Sequence, residues 1–266
     1  MNQLNVNLPE LPYAVSEAMN RLRINIKFCG KNTRKILLTS CQPNEGKSTI
    51  SSYLWKMLAE AGFPTVLVDV DLRKSVMKTR FQMDYDDDTT MGLNHYLSGM
   101  AEYEDVVYST NIPNGYMVPC TQLLENPSAL LEDVRFKELL NTLSENYRFV
   151  IIDSPPLGSV ADGALIASLC DGAVLVVRAG TTPRTLIKQS LYEIQQSGCK
   201  LLGTVLNRAD VKGRAYGKYG YGKYGYGYGY GYGYGYEPKD KKNSSDSAAT
   251  DKNSTGTNRL YYFYRL

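Results

Sequence analysis

The chain has 266 residues, 43% of them hydrophobic and 21% charged, and a formal net charge of +3. That length allows one large domain, or one domain with tails, and a core large enough to bury a full parallel sheet, while so small a charge gives no argument for a nucleic-acid partner. Cys29, Cys41, Cys120, Cys170 and Cys199 are scattered, with no Cys-x-x-Cys pair or metal spacing, and no basic–apolar leader or apolar run of ~18 residues appears, so the pattern reads as reduced, cytoplasmic thiols without a membrane span.

Residues Met1 to Pro12 read as a loose arm. Ala14 to Phe28 read as a helix, with Ala18, Leu22 and Ile26 on one side and Glu17, Arg21 and Arg23 on a polar face. Lys35 to Thr39 is the first core strand, and it runs into Ser40-Cys41-Gln42-Pro43-Asn44-Glu45-Gly46-Lys47-Ser48-Thr49. A helix follows to about Glu60, with Ile50, Leu54, Met57, Leu58 and Ala61 on one face and Gly62 at its end. Strand, tight loop and Gly-Lys-Ser opening a helix is the layout of a phosphate-binding loop. The first helical N–H groups have no intrahelical acceptor and carry the positive end of the helix dipole, so they bind phosphate oxygens. Asn44, Glu45, Gly46 and Thr49 are counted with the nucleotide site; Lys47 reaches the outer phosphates, and the Ser48 hydroxyl ligates Mg²⁺. On this reading Lys47 serves the ligand and not the core. Cys41 stands where the motif has its first glycine, which is tolerable only if the backbone there avoids the left-handed region, at about 1–2 kcal/mol otherwise.

Thr65 to Val70 is a second buried strand ending in Asp69-Val70-Asp71-Leu72-Arg73-Lys74. Acids at the carboxyl end of a parallel strand sit where ligands bind in open α/β sheets; the alternative is that they cap the next helix or pair with Arg73. Asp84 to Thr90 is an acidic loop, and Gly92 to Leu97 a short helix carrying the only histidine, His95, as an ordinary surface residue. Tyr116 to Val118 suggests a strand. Ser128 caps one helix to about Asn146, with Leu130, Leu131, Val134, Leu139 and Leu143 as its apolar side. Arg148 to Asp153 is the third clear strand, followed by Ser154-Pro155-Pro156, and Asp153 fits the second metal-directed acid of a phosphate-loop enzyme. Asp162 opens or caps a helix, Gly172 to Val177 is a strand, Pro183 to Gln196 a helix ended by Gly198, and Leu201 to Leu206 the last strand, followed by Asn207 and Arg208. Continuously apolar strands alternating with helices define an α/β fold of the P-loop NTPase-like kind, a mostly parallel sheet with helices on both faces.

After Arg214 the composition changes. Tyr216, Tyr219 and Tyr221 lead into strict alternation with glycine at Tyr224, Tyr226, Tyr228, Tyr230, Tyr232, Tyr234 and Tyr236. Alternating glycine forfeits too much backbone entropy, and offers too little packing, for a stable core. Glu237 to Asn258 is polar and reads as disordered, whereas Leu260 to Leu266 is aromatic without evident reason. The expected division is a domain over residues 1–214, a tyrosine-glycine cluster over 215–237 and a polar, disordered tail over 238–266.

The stretch Ser40 to Thr49, the acidic run Val66 to Arg73, Val150 to Pro156, Asn126-Pro127-Ser128-Ala129-Leu130-Leu131 and the tyrosine cluster together resemble the bacterial tyrosine kinases of capsule and exopolysaccharide synthesis, in the stand-alone cytosolic form of Gram-positive bacteria. The resemblance spans roughly Tyr13 to Tyr236. It implies ATP and Mg²⁺ at Lys47 and Ser48, with Asp71 and Asp153 around the metal and Asp69 as base toward the incoming tyrosine. The tyrosines from Tyr216 to Tyr236 are the implied phosphoacceptors. It further implies a ring-like homo-oligomer, a transmembrane adaptor of the polysaccharide co-polymerase type that brings the chain to the inner face of the plasma membrane, and a cognate tyrosine phosphatase. The family's assembly motif Glu-x-x-Arg-x-x-Arg is matched by Glu17 and Arg23, but Asn20 holds the middle position, and Lys74-Ser75 replaces a basic residue and proline. In related P-loop proteins an asparagine at the place of Asn207 meets adenine; the alternative is an amide closing a turn.

The rival enzyme is a partitioning or septum-positioning ATPase, which carries a signature lysine where this chain has Gln42 and has no use for a tyrosine-glycine segment. The rival of another class is a nucleotide-gated scaffold whose tail only binds partners.

Overall fold

The computed structural model describes residues 3–85, 89–158, 162–210 and 259–264. Its elements begin β1 (Gln3–Leu4), α1 (Tyr13–Lys27), β2 (Lys35–Ser40), α2 (Lys47–Glu60), β3 (Thr65–Asp69), α3 (Met77–Arg80), α4 (Leu93–Leu97) and α5 (Tyr103–Val106). They continue β4 (Tyr108–Thr110), β5 (Gly115–Val118), α6 (Ser128–Glu132), α7 (Val134–Asn146), β6 (Phe149–Asp153), α8 (Asp162–Ser168), β7 (Gly172–Arg178), α9 (Arg184–Gln196), β8 (Leu201–Asp210) and β9 (Arg259–Tyr264).

Successive side chains of a strand point to opposite faces, so a strand apolar at every position must be covered twice. Ile36, Leu38, Leu67, Ile151, Val174 and Val176 pack in one core with Leu22 and Ile26 of α1 and with Ile50 and Leu54 of α2. Their neighbours Leu37, Val66, Val68, Val150, Ile152, Leu175 and Val177 pack in the other, with Phe136 and Leu139 of α7, Ile166 of α8 and Ile194 of α9. The described strands form one sheet in the order β1-β4-β5-β3-β6-β2-β7-β8-β9. From β5 to β8 the neighbours are parallel; β4 on β5 and β9 on β8 are antiparallel. The expected mostly parallel sheet with helices on both faces is the fold observed.

The arm is not loose. Gln3 and Leu4 pair with Ser109 and Thr110 in parallel, and Leu4, Val6 and Leu8 are buried. Val6 N–H donates to Asn111 Oδ1 at 2.9 Å, and the Tyr53 hydroxyl donates to the Pro9 carbonyl at 2.6 Å. An alternation of apolar and polar residues from Leu4 to Leu8 was the signal. The helix expected from Ser128 to Asn146 is two. Asp133, in extended conformation, ends α6 and caps α7 by accepting from Arg135 N–H, which turns Val134 outward at 60% exposure. Ser128 caps nothing; its hydroxyl donates to Asp162 Oδ1 at 2.6 Å. In α2 the apolar face is wider than expected, since Trp55 is fully buried with its indole N–H on the Thr65 carbonyl. Residues 259–264, expected within a polar tail, form β9 instead. The acidic loop from Asp84 lies partly outside the described residues, as do the tyrosine-glycine cluster and the polar residues before β9.

Because buried apolar side chains of the arm each contribute about 1–2 kcal/mol on truncation, the double variant Val6→Ala, Leu8→Ala lowers unfolding free energy by about 2–4 kcal/mol in a urea melt. A loose arm would lose nothing.

Candidate active site

Sheet register builds the site. Asp69, last of β3, is the register partner of Asp153, last of β6, and Asp153 is in turn the partner of Leu38 in β2. The carboxyl ends of three neighbouring strands therefore deliver two acids and the loop of residues 40–46 to one place. Gly46 (φ 98°) caps α2 in the left-handed region, which only glycine adopts without cost. A Cβ on Gly46 would lie 2.1 Å from the Asn207 amide nitrogen. Asn44 also has positive φ (64°), but Cys41 is not among the positive-φ residues, so its side chain costs no strain there. Burial pushes the Cys41 thiol up to about 11 against a hydrogen bond from Ser190, with Glu45 adding to the rise, so it stays neutral beside a site built for anions.

Lys47, the first residue of α2, is buried. Its ammonium lies 2.9 Å from Asp71 Oδ2, 3.5 Å from Asp153 Oδ2 and 3.3 Å from Ser48 Oγ. Burial alone pushes Lys47 down, but the Asp153 and Asp71 carboxylates outweigh it and hold the ammonium above its ordinary value. Asp153 Oδ1 accepts from Ser51 Oγ at 3.1 Å, while Oδ2 has no hydrogen-bond partner among the described residues. Burial raises Asp153, and the Lys47 charge only partly offsets it. Asp69 accepts from the Ser75 hydroxyl at Oδ2 and from Asp71 N–H at Oδ1, 3.3 Å. Burial, with Asp153 and Asp71 close by, pushes Asp69 up to about 8.

A cavity of about 160 Å³ opens over this cluster. Of the expected residues, Asn44, Gly46, Lys47, Ser48 and Asp71 line it; Pro43, Arg73, Lys74, Arg80, Pro155 and Pro156 join them. Asp69 and Asp153 stand behind the wall, at 1% exposure each. Glu45 faces away from the cavity, accepting from Cys41 and Gln42 N–H at 2.8 and 3.0 Å with Oε2 and from the Thr182 hydroxyl with Oε1. It ties the loop to itself and to the end of β7. Thr49 accepts from Arg80 at 3.2 Å. Asn207 donates its amide to the Glu45 carbonyl at 2.6 Å, and its buried Oδ1 has no partner among the described residues. Arg73 pairs with Asp162 at 2.8 Å and not with the acids before it, whereas Asp71 Oδ1 accepts from Lys74 N–H at 3.2 Å. The tyrosines Tyr216 to Tyr236 lie outside the described residues. Sequence reasoning missed Ser51, although it sits one turn after Lys47 on α2. It also missed Ser75, Thr182 and Arg80, whose roles depend on contacts that local spacing does not encode.

The residues fit an Mg²⁺–nucleotide. A cation of this kind is bound by one or two carboxylates with phosphate oxygens among its other ligands. The buried Asp153 Oδ2, which faces the Lys47 ammonium at 3.5 Å but accepts no hydrogen bond among the described residues, suits such a cation. The N–H groups at the start of α2 and the Lys47 ammonium suit phosphate. Fold and site define a P-loop nucleotide-binding protein. The AAA domain family matches residues 33–195. Tyrosine-protein kinase CpsD of Streptococcus agalactiae is 42% identical over 78% of this chain and 90% of its own length. The solved chimerical protein CapA2B2 is 32% identical, with a TM-score of 0.67 over 75% of this chain and 90% of that one. The septum site-determining protein MinD of Pyrococcus horikoshii, solved with Mg-ADP, is 26% identical, with a TM-score of 0.56 over 66% and 70%. The chain belongs to the bacterial tyrosine-protein kinases, within the AAA domain family.

Lys47 thus also serves the fold, through its ion pairs with Asp71 and Asp153. Lys47→Met leaves Asp71 and Asp153 without their counter-charge and lowers the melting temperature by several degrees, at about 1–3 kcal/mol. Asp69 has the opposite sign. Its folded pKa of about 8 exceeds the ordinary carboxyl value of 3.8, so the folded state holds an extra proton between those values and loses stability as pH rises through the window. Asp69→Asn melts above wild type at about pH 8.5, and the gap closes toward about pH 4. A pH-independent gap in nucleotide-free calorimetry contradicts the assignment.

Proposed function

We propose that the chain is an ATP-dependent tyrosine kinase whose acceptors are the tyrosines of its own cluster, Tyr216 to Tyr236, with the phosphoryl group passing from the ATP of one subunit to the cluster of another. The observation that supports this reading most directly is the buried meeting of Lys47, Asp69, Asp71 and Asp153 at the start of α2. In this reading Lys47 leaves the carboxylates for the outer phosphates, and Ser48, Asp71 and Asp153 hold Mg²⁺. The ion neutralises charge on the transferring phosphoryl group. Asn207 Oδ1, still without a partner, accepts from a purine amino group; a purely loop-holding amide is the second reading, favoured by its bond to Glu45.

A tyrosine hydroxyl, with pKa near 10, enters as the phenol. As the O–P bond to tyrosine forms and the P–O bond to ADP breaks, the phenolic proton passes to Oδ1 of Asp69 in its ionised form, which a pKa held at about 8 populates increasingly toward alkaline pH. For that transfer Asp69 must be uncovered, so the turn of residues 71–75 moves when substrate binds. Ser75, which takes the place of the family's proline, holds Asp69 Oδ2 until that movement.

Covalent connectivity supports transfer between subunits: Tyr216 follows soon after Asp210, the last residue of β8, in the sequence, and reaching a neighbour's site asks for no sharp reversal back to the chain's own Asn207. Each phosphate adds about −1.5 to −2 charges at pH 7. A few overturn a net charge of +3 and loosen an oligomer by repulsion. A membrane adaptor of the polysaccharide co-polymerase type and a tyrosine phosphatase complete the cycle, with capsular or exopolysaccharide synthesis as its output. The same resemblance to known relatives supports them.

The test incubates purified chain with Mg-ATP and maps phosphotyrosine by mass spectrometry. Label is expected within Tyr216 to Tyr236, absent in Lys47→Met. It is expected again on a Lys47→Met chain mixed with an active chain whose cluster tyrosines are phenylalanine. ATP hydrolysis without phosphotyrosine favours the partitioning ATPase, and neither favours the scaffold. Asp153→Asn is expected to weaken nucleotide binding and turnover together, and Asp69→Asn turnover more than binding, by about 10²-fold or more in rate. Equal affinity losses in the two variants contradict this division. Asn207→Ala is expected to reduce discrimination between ATP and GTP if Oδ1 meets the purine, and to leave it unchanged if the amide only holds the loop.

A further inference from the structure

Without β9, the outer side of β8 would present a row of unpaired N–H and C=O groups, the kind of edge that takes up another strand. The chain supplies that strand itself. Leu260-Tyr261-Tyr262-Phe263-Tyr264 is rich in residue types favoured in strands, and it pairs antiparallel with β8, Thr204 opposite Tyr264, Leu206 opposite Tyr262 and Asp210 opposite Arg259. Helix α1 lies along it. The pairing has one irregularity, between Leu206 and Ala209. Within it stand Asn207 and Arg208, the latter with φ 58°. A bulge of this kind bends a strand and re-aims a side chain, and the side chain concerned is Asn207, whose amide holds the Glu45 carbonyl at 2.6 Å beneath the phosphate loop. Asn207 also fixes the loop after β7, its carbonyl accepting from Ala179 N–H at 2.8 Å.

We propose that residues 259–264 are a docking strand for the outer edge of β8, and that docking sets the bulge which holds Asn207 against the phosphate loop. Two consequences follow. Docking holds next to each other the two described residues that flank the segment carrying every cluster tyrosine, Asp210 and Arg259. The docked strand and the nucleotide are also coupled, because both act on the Glu45–Gly46 backbone. By linkage, whatever draws the strand off β8 weakens nucleotide binding, and bound nucleotide strengthens docking by the same factor. The coupling rests on the nucleotide reading above; the docking does not.

The experiment compares the full chain with a chain ending at residue 258 and with Phe263→Pro, which breaks strand pairing through the backbone. Amide hydrogen exchange over residues 203–210 reads docking. Equilibrium binding of a fluorescent ATP analogue with Mg²⁺ reads coupling. In both variants exchange is expected to rise by about tenfold or more and affinity to fall by about fivefold. A synthetic peptide of residues 258–266 is expected to restore both in the shortened chain. If the shortened chain does not fold, Phe263→Pro with the same two readouts carries the test. Unchanged exchange overturns the docking, and raised exchange with unchanged affinity overturns the coupling. Protection in the full chain that falls on dilution shows a strand supplied by a second copy and overturns the intramolecular form. A full chain that binds no nucleotide overturns the proposed function instead, while the exchange comparison still decides the docking.

Discussion

One ammonium group holds together an arrangement that would otherwise push itself apart. Parallel pairing of β3 with β6 fixes Asp69 beside Asp153, at the roughly 4.8 Å spacing of neighbouring strands, and the turn after β3 adds Asp71. Lys47 Nζ reaches Asp71 and Asp153 from the first turn of α2. Buried charge of this kind is weak evidence for stability, since desolvation opposes the attraction. In the function proposed above, its place here follows from a site that presents acids to a cation and a lysine to phosphates from the same cluster.

The loop around that cluster is shaped before any ligand arrives. Glu45 satisfies two backbone N–H groups near the start of the loop, Asn207 satisfies the Glu45 carbonyl, and Thr182 anchors the Glu45 carboxylate to the end of β7. The first two bonds close the loop on itself and the other two cross to the segment after β7 and to β8, so the loop's conformation depends on those elements as well as on its own residues. Preorganisation of donors toward developing charge is where phosphoryl-transfer enzymes gain most of their effect.

The sequence showed the central fold because its signals there are local. Runs such as Val66-Leu67-Val68 need cover on both faces, and Gly46-Lys47-Ser48 needs a helix start, so strands, helices and the site's address followed. What it concealed was set by distant pairing. Leu4, Val6 and Leu8 form too short an alternation to stand alone and become a strand and its continuation only against β4. Ser128 looks like a cap but is held by Asp162, thirty-four residues on. Asp133, a cap in type and in fact, was passed over because the apolar spacing runs through it. Arg73 beside Asp71 invites a local ion pair, yet its guanidinium turns to Asp162. Glu45 reads as a ligand contact from its place in the loop, and that reading gives no hint that its carboxylate braces the loop from within. The aromatic residues before Tyr264 make sense only once an open sheet edge is known to await them.

The loop's missing glycine at Cys41 has a counterpart elsewhere. Gly158, two residues past the Pro155-Pro156 pair, passes so near the Cys41 carbonyl that a Cβ there would stand 2.6 Å from its oxygen, and Leu157 N–H is fastened to the Ser40 carbonyl at 2.9 Å. The smallest residue is thus needed on the opposite bank of the cleft, and the constraint that the motif places within one loop is here shared between two. A designer moving this phosphate loop into another scaffold would have to carry the strand-end segment of residues 153–158 with it, because the loop's outline is written on both.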